Sequence, residues 1–277
     1  MAVCQKLIIK TMIIKEYVAN KKAQLKDEVS SLEIKPHFVI IQVNEDEASN
    51  AYVRGKIKDA TEVGIIADLL KLPIDISQED LIKEINKIND DDNIDGLIVQ
   101  MPLPKQIDEE VIKLSVNPKK DIDGFHPLTK LDPCTPKGII NYLKDENFNF
   151  VGKNAVVIGR SNIVGKPMAR LLLAQHCNVT QLHSRTSKED MKFYVEHADI
   201  IVIAIGKAGF LDNSYSYKKD AVIIDVGINR INGKLHGDAL RDLPVAIQTP
   251  VPGGVGLLTR LTLLTNLMEA YKMKYNK

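Results

Sequence analysis

The chain has 277 residues, 44% of them hydrophobic and 26% charged, with 16 glycines, 12 prolines and no tryptophan. That balance excludes a disordered or collagen-like polypeptide, and the length accommodates about two domains, each with its own core. Lys plus Arg number 37 and Asp plus Glu 36, a formal charge of +1, so no overall field draws the molecule to nucleic acid or an anionic membrane, and a small molecule is the expected partner.

The opening M-A-V-C-Q-K-L-I-I-K has its apolar residues broken by lysine and carries no small-residue cleavage site, unlike a secretory signal. The longest apolar runs, such as Ile200 to Ile205, are strand-sized and far below the ~20 residues of a membrane helix. A cytoplasmic location is the simplest expectation. Cys4, Cys134 and Cys177 are odd in number and widely spaced, which predicts reduced thiols rather than disulfides or a metal site.

Val39 to Val43 is the first short β-branched run. Between Ala48 and Val63, the residues Val53, Ile57 and Ala60 fall at helical spacing and form an apolar stripe. Tyr52 and Lys56, at i and i+4, lie one position off that stripe, stacked at its edge where a ring and an ammonium group can reach a cleft. A partly desolvated lysine there loses proton affinity and can act as a base near neutral pH, although a snorkelling surface lysine satisfies the same pattern. Ser77 and Asp80, ahead of Leu81, Ile82, Ile85 and Ile88, predict a capped helix over about 78 to 90.

Leu97 to Val99, within D-G-L-I-V-Q, read as a strand that runs into M-P-L-P, so Gln100 stands at its carboxyl end. A neutral amide at that point can orient a lysine without trapping it in a salt bridge. From Asn117 to Pro136, four prolines and Gly124 prevent regular structure for long, and the domain boundary is placed there, with a linker near 135 to 140. Asp123 lies in this stretch, where a carboxylate either accepts hydrogen bonds from a ligand's amino group and ring N–H or is a solvated turn residue.

Ala155 to Ile158 is the next strand, followed by a turn from Gly159 to Gly165 and a helix opening near Pro167. The spacing G-x-S-x-x-x-G only partly meets the dinucleotide fingerprint. Gly159, Arg160, Ser161 and Gly165 would let backbone N–H groups approach a pyrophosphate, or would simply turn a strand into a helix. The strand N-V-T-Q-L ends in H-S-R-T, with no acid to hold ribose hydroxyls. Ser184, Arg185 and Arg160 could instead hold a ribose phosphate, which favours NADP over NAD, or Arg185 is an ordinary exposed arginine. Asp199 to Ala204 and Ala221 to Val226 are two further strands, leading to Gly206 and to Gly227 with Ile228. Ligands of a doubly wound sheet sit at such carboxyl ends. Strands alternating with helical segments predict βαβ units and a mostly parallel sheet. Finally T-P-V-P-G-G-V-G, Thr249 to Gly256, is a stiff, uncovered loop suited to a flat ligand or to a hinge, with a helix after it.

Taken together, A-S-N-A-Y-V-R-G-K-I-K, D-G-L-I-V-Q-M-P-L-P, K-D-I-D-G-F-H-P, P-C-T-P-K-G, G-R-S-N-I-V-G-K-P-M-A-R-L-L-L, V-T-Q-L-H-S-R-T, I-D-V-G-I-N and T-P-V-P-G-G-V-G resemble the methylenetetrahydrofolate dehydrogenase/cyclohydrolase family along nearly the whole chain. The resemblance implies oxidation of methylenetetrahydrofolate with NADP, then hydrolysis to formyltetrahydrofolate in the same cleft. It implies roles for Lys56 as the catalytic lysine, Tyr52 as ring partner of the folate, Gln100 as the group orienting the lysine and Asp123 as the pterin anchor, with Pro252, Gly253 and Gly254 counted among the folate contacts. The implied architecture is α/β in two domains with a cleft between them. Residues 1–138 form the folate-side domain, 139–254 a Rossmann-like NADP-binding domain, and the final helix, 255–277, packs back on the first. The resemblance also implies a cytoplasmic homodimer supplying one-carbon units, including those of purine biosynthesis, with no metal.

The chain departs from the family pattern at three places. Five residues separate Pro127 from Pro133, where a longer loop is usual; Leu257-Leu258 replaces Pro-Met; and Gly206-Lys207-Ala208 replaces G-x-P. A chiefly dehydrogenase variant with weak hydrolysis, a non-catalytic NADP-binding module and an NADP-dependent dehydrogenase for another substrate are the alternatives.

Overall fold

The structure, a computed structural model, describes residues 14–44 and 46–275. Cys4 and the opening decapeptide lie outside them. Helices and strands first alternate as α1 (Ile14–Ser30), β1 (His37–Gln42), α2 (Glu47–Glu62), β2 (Ile66–Lys71), α3 (Gln78–Asp90) and β3 (Gly96–Val99), followed by the short α4 (Glu109–Ser115). β1 pairs in parallel with both neighbours, in the order β2-β1-β3. Parallel pairing demands crossovers, and α2 and α3 supply them. Ser77 caps α3 as predicted, its Oγ accepting from Asp80 N at 3.1 Å.

The second half runs α5 (Cys134–Asp145), β4 (Asn154–Ile158), α6 (Gly165–Ala174), β5 (Asn178–Leu182), α7 (Lys188–His197), β6 (Ile200–Ile203), β7 (Val222–Asp225), β8 (Asn229–Ile231), β9 (Lys234–His236), β10 (Ile247–Gln248) and α8 (Val255–Tyr275). Five of these strands form a wholly parallel sheet in the order β10-β7-β6-β4-β5, and β8 with β9 makes an antiparallel hairpin. The chain leaves β4 toward β5 and then returns to β6 on its other side. This reversal opens a crevice at the carboxyl ends beside β4, as in doubly wound folds. The architecture is the two-part α/β arrangement with parallel sheets that the sequence implied.

The two parallel sheets are packed on both faces, and side-chain alternation along a strand assigns residues to them. Phe38 and Ile40 of β1 pack with α2 and α8 residues such as Val53 and Leu267, whereas Val39 and Ile41 pack with Leu81 and Ile85 of α3. In β4, Ala155 and Val157 face Met168 and Leu172 of α6, whereas Val156 and Ile158 face Met191 and Val195 of α7. Helix α8 serves both halves. Leu258 and Leu261 join the core around β4, and Leu263, Leu264 and Leu267 join the core under β1.

The linker placed at 135–140 lies inside α5, whose N-cap is Pro133 and whose first turn holds Pro136. A proline at those positions forfeits no intrahelical hydrogen bond, so residues that read as breakers here begin a helix. Cys134 and Cys177 are buried free thiols. Among the described residues, no helix is long and apolar enough to cross a membrane.

Candidate functional site

Helix α2 presents Tyr52 and Lys56 one turn apart, and the strand end of β3 presents Gln100 to them. Lys56 is only 5% exposed, deeper than an edge position. Its Nζ donates to Gln100 Oε1 at 3.1 Å and lies 5.2 Å from the centroid of the Tyr52 ring. Gln100 is held from two sides: its backbone N–H donates to Ile41 O at 2.9 Å, and its Nε2 donates to Met101 O at 2.7 Å. The side-chain bond leaves Oε1 as the acceptor toward the lysine. Burial raises the Tyr52 phenol above its ordinary value, so it stays protonated through the neutral range.

Asp123 comes from the irregular stretch between α4 and α5. Burial raises its carboxyl above the usual carboxylate range, opposed by the positive charge of Lys56. Its loop is shaped by Asp121, which the sequence reading passed over. The Asp121 carboxylate accepts from Gly124 N at 3.1 Å and His126 N at 2.6 Å, and burial pushes its pKa up to about 6. Gly124 has φ +80, and a Cβ there would stand 2.6 Å from the Asp132 carbonyl carbon, so the loop closes only with glycine. From α8, the fully buried Asn266 donates Nδ2 to Ile122 O and Asp132 O, clamping both ends of the same loop.

Two adjoining cavities result. An inner one of about 160 Å³ is lined by Tyr52, Lys56, Gln100 and Asp123 together with Cys134 and Thr135. An outer one of about 630 Å³ shares Tyr52 and Gln100 and adds Gly227, Ile228 and the Pro252–Gly254 loop. The four candidates for chemistry therefore meet in one place, and the nicotinamide-side and loop candidates adjoin them. Burial also raises the Cys134 thiol well above its ordinary value, which keeps it protonated.

The remaining cofactor candidates gather along the carboxyl edge of the large sheet. Ile158 of β4 is in register with Leu182 of β5 and Ile203 of β6, and Ile203 with Asp225 of β7. The turns bearing Gly159, Arg160 and Ser161, Ser184 and Arg185, Gly206, and Gly227 consequently share one rim. Gly159 has φ +127, and an added Cβ would stand 2.4 Å from Ala204 O; at Gly165 it would stand 2.4 Å from Gly159 O. Ser161 Oγ accepts from Val164 N at 3.1 Å and Gly165 N at 3.3 Å, so its hydroxyl braces the turn. At Gly206 a Cβ would meet nothing within 4 Å, leaving open space above that backbone. A tight glycine turn beside open backbone fits a dinucleotide. Arg160, Ser184 and Arg185 are exposed on the rim and line neither cavity described above.

Two groups with no local sequence signal support this rim. Asp238, fully buried, accepts from Ile205 N, Gly206 N and Lys207 N at 2.7 to 2.9 Å, filling with its own carboxylate the nest formed by three successive N–H groups. Asp225 in turn accepts from Gly227 N, Asp238 N and Ala239 N, and burial raises its carboxyl. Arg260 of α8 lines the outer cavity and ion-pairs with Asp59, Nε to Oδ2 at 3.0 Å. Its guanidinium lies across Gly55, occupying the place a side chain would take. Glycine within a helix is less favourable than alanine by roughly 0.5–1 kcal/mol, and at Gly55 the vacant volume is given to Arg260.

Comparison with known proteins agrees with this geometry. Residues 12–123 match the family model for the tetrahydrofolate dehydrogenase/cyclohydrolase catalytic domain, and residues 133–275 match the NAD(P)-binding domain of the same family. A curated relative from Halalkalibacterium halodurans, the bifunctional protein FolD, is 43% identical over 274 residues, covering 93% of this chain and 97% of its own. The crystal structure of the FolD methylenetetrahydrofolate dehydrogenase/cyclohydrolase from Campylobacter jejuni superposes with a TM-score of 0.89 at 36% identity, covering 94% of this chain and 97% of that one. The enzyme from Trypanosoma brucei, solved with NADP cofactor and inhibitor, superposes with a TM-score of 0.91 at 30% identity, covering 96% and 98%.

Proposed function

The chain belongs to the tetrahydrofolate dehydrogenase/cyclohydrolase family, and from that premise we propose how its own residues carry the two reactions. It is an NADP-dependent methylenetetrahydrofolate dehydrogenase that also hydrolyses the methenyl product to formyltetrahydrofolate. The observation that carries the residue assignment is the meeting of Lys56, Gln100, Tyr52 and Asp123 around one cavity that opens onto Gly227 and Ile228.

NADP, when bound along the glycine-lined rim, supplies the hydride acceptor. Losing hydride from a carbon flanked by two nitrogens gives a delocalised cation with no proton transfer, so the chain's part in the first step is positioning. Tyr52 offers a ring face to the folate, Asp123 a carboxyl to the pterin's amino group and ring N–H, and the Pro252–Gly254 loop a wall of one proline ring and bare glycine backbone. Hydrolysis requires more. A proton leaves the attacking water and another reaches a ring nitrogen, and Lys56, held by a neutral amide rather than a carboxylate, is the group that moves them.

Residues 1–138 with 255–277 are assigned to the folate side of the cleft and 139–254 to the dinucleotide side, the division falling within α5. Arg185 with Arg160 and Ser184 holds the ribose phosphate. The same reading makes the protein a cytoplasmic homodimer whose product feeds purine biosynthesis; these three statements rest on family resemblance. The direct test follows NADP reduction with methylenetetrahydrofolate and, separately, the decay of methenyltetrahydrofolate absorbance. Absence of both signals in folded protein would overturn the assignment.

A further inference from the structure

We propose that Arg260 is an anion subsite at the folate end of the cleft, its guanidinium taking a carboxylate of the substrate's glutamyl tail; the assignment rests on the folate substrate proposed above. The glutamyl group of a tetrahydrofolate lies on the aminobenzoyl side, remote from the reacting ring. The inner cavity around Lys56 and Asp123 holds the ring end, so the remainder of the substrate leaves past Tyr52 through the outer cavity. Arg260 stands on the α2 wall of that outer cavity, and its charge reaches the Tyr52 phenol.

The guanidinium is placed rather than loose. Its Nη1 lies over Gly55, 2.0 Å from where a Cβ would be, one turn beyond Tyr52 on α2. Asp59, a further turn along, holds the Nε edge at 3.0 Å. Asp59 also pairs with Lys22 at 2.9 Å, and Lys22 pairs in turn with Glu62, so Asp59 meets Arg260 along the Nε edge alone. Among the described residues no hydrogen bond reaches either terminal nitrogen of Arg260. A planar fork fixed along one edge, with its other edge unpaired, is suited to a carboxylate. Both acidic groups on the same cavity are already engaged: Asp46 Oδ2 accepts from Ser49 N at 2.8 Å, and the Asp225 carboxylate accepts from Gly227 N, Asp238 N and Ala239 N. Arg230, the other arginine of the cavity, sits on β8 near Gly227 and Ile228, on the dinucleotide side.

The test is calorimetric titration of the full chain with tetrahydrofolate and with tetrahydropteroate, which has the same rings and no glutamate. The wild type is expected to prefer the tailed ligand by tenfold or more, and Arg260→Gln to lose about tenfold of that preference, with Arg260→Lys retaining part of it. Gly55→Ala, which favours the helix but evicts the guanidinium, is expected to lose the preference as well, and it serves where Arg260→Gln fails to fold. Survival of the preference in these variants, equal weakening of both ligands, or a loss of NADP affinity instead would overturn the assignment. Binding is read without turnover. A protein that binds with a tail preference and converts nothing would overturn the activity while supporting the subsite, whereas turnover with a preference indifferent to Arg260 would do the reverse.

Discussion

Lys56 Nζ and Gln100 Oε1 stand 3.1 Å apart, joining the middle of α2 to the carboxyl end of β3 through a bond between a cation and a neutral amide. A carboxylate at position 100 would favour the charged lysine strongly; an amide directs the amine without placing an opposite charge against it. The backbone of Gln100 is pinned to β1 at Ile41 O and its Nε2 to Met101 O, so the orientation of the acceptor is set by the sheet rather than by the substrate.

Lys56→Gln is expected to remove hydrolysis of methenyltetrahydrofolate by ~10²–10⁴-fold, the range of a general acid–base group, while sparing more of the hydride step. The two activities are measured on one preparation, by NADP reduction and by methenyl decay. Equal loss of both would show that Lys56 acts through binding alone and would remove it from the proton transfer.

Asp121 gives a prediction about stability and pH. Its folded carboxyl titrates at about 6 against an ordinary 3.8, and the largest cause is burial. Between those two values the folded protein holds a proton that the unfolded chain has lost, so stability falls as pH rises through the window, by up to about 3 kcal/mol. Asp121→Asn removes this slope and adds a constant offset from the exchanged hydrogen bonds. Melting temperatures of both proteins at pH 4 and pH 7 are expected to show the wild type losing ground to the variant on going to pH 7. Parallel shifts in the two proteins would contradict the burial of the charge.

What could be read in the chain divides along physical lines. Tyr52, Lys56 and Gln100 follow from local pattern, because helical spacing and a strand end fix where side chains emerge. The edge strand β2 escaped because Ile66 and Leu69 are exposed and no alternation marks them. The first turns of α5 read as a linker because prolines that open a helix resemble prolines that end one. Asp238 reaches the Gly206 turn from beyond the β8–β9 hairpin, and Arg260 meets Gly55 only because α8 crosses back over α2. Contacts made by chain return leave no spacing to find.

The glycines of the dinucleotide rim are expected to differ sharply in tolerance. Gly159→Ala meets Ala204 O at 2.4 Å from a φ of +127, so both clash and strain apply, and a loss of about 2–4 kcal/mol is expected. Gly206→Ala, at φ +66 with nothing within 4 Å, faces backbone strain alone, about 1 kcal/mol. Denaturant midpoints order the two variants. If Gly206→Ala were the less stable, the open turn drawn above Asp238 would be wrong. Its Cβ would also project into the space assigned to the dinucleotide, so NADP affinity should fall in Gly206→Ala even where stability is nearly kept.

Cofactor preference turns on Arg185. The turn after β5 has no carboxylate of its own in H-S-R-T, and the Arg185 side chain is exposed on the rim with its backbone N–H bonded to His183 Nδ1 at 3.2 Å. The backbone is thereby fixed while the guanidinium is free to meet a phosphate. An exposed arginine–phosphate pair is worth about 1–2 kcal/mol, so Arg185→Ala is expected to raise KM for NADP about tenfold and to leave KM for NAD within about twofold. Salt supplies an internal control, because screening should erode the wild-type preference and leave the variant nearly unchanged. An unaltered NADP/NAD ratio would take Arg185 out of the phosphate site and leave Arg160, on the neighbouring turn after β4, as the cation to vary next.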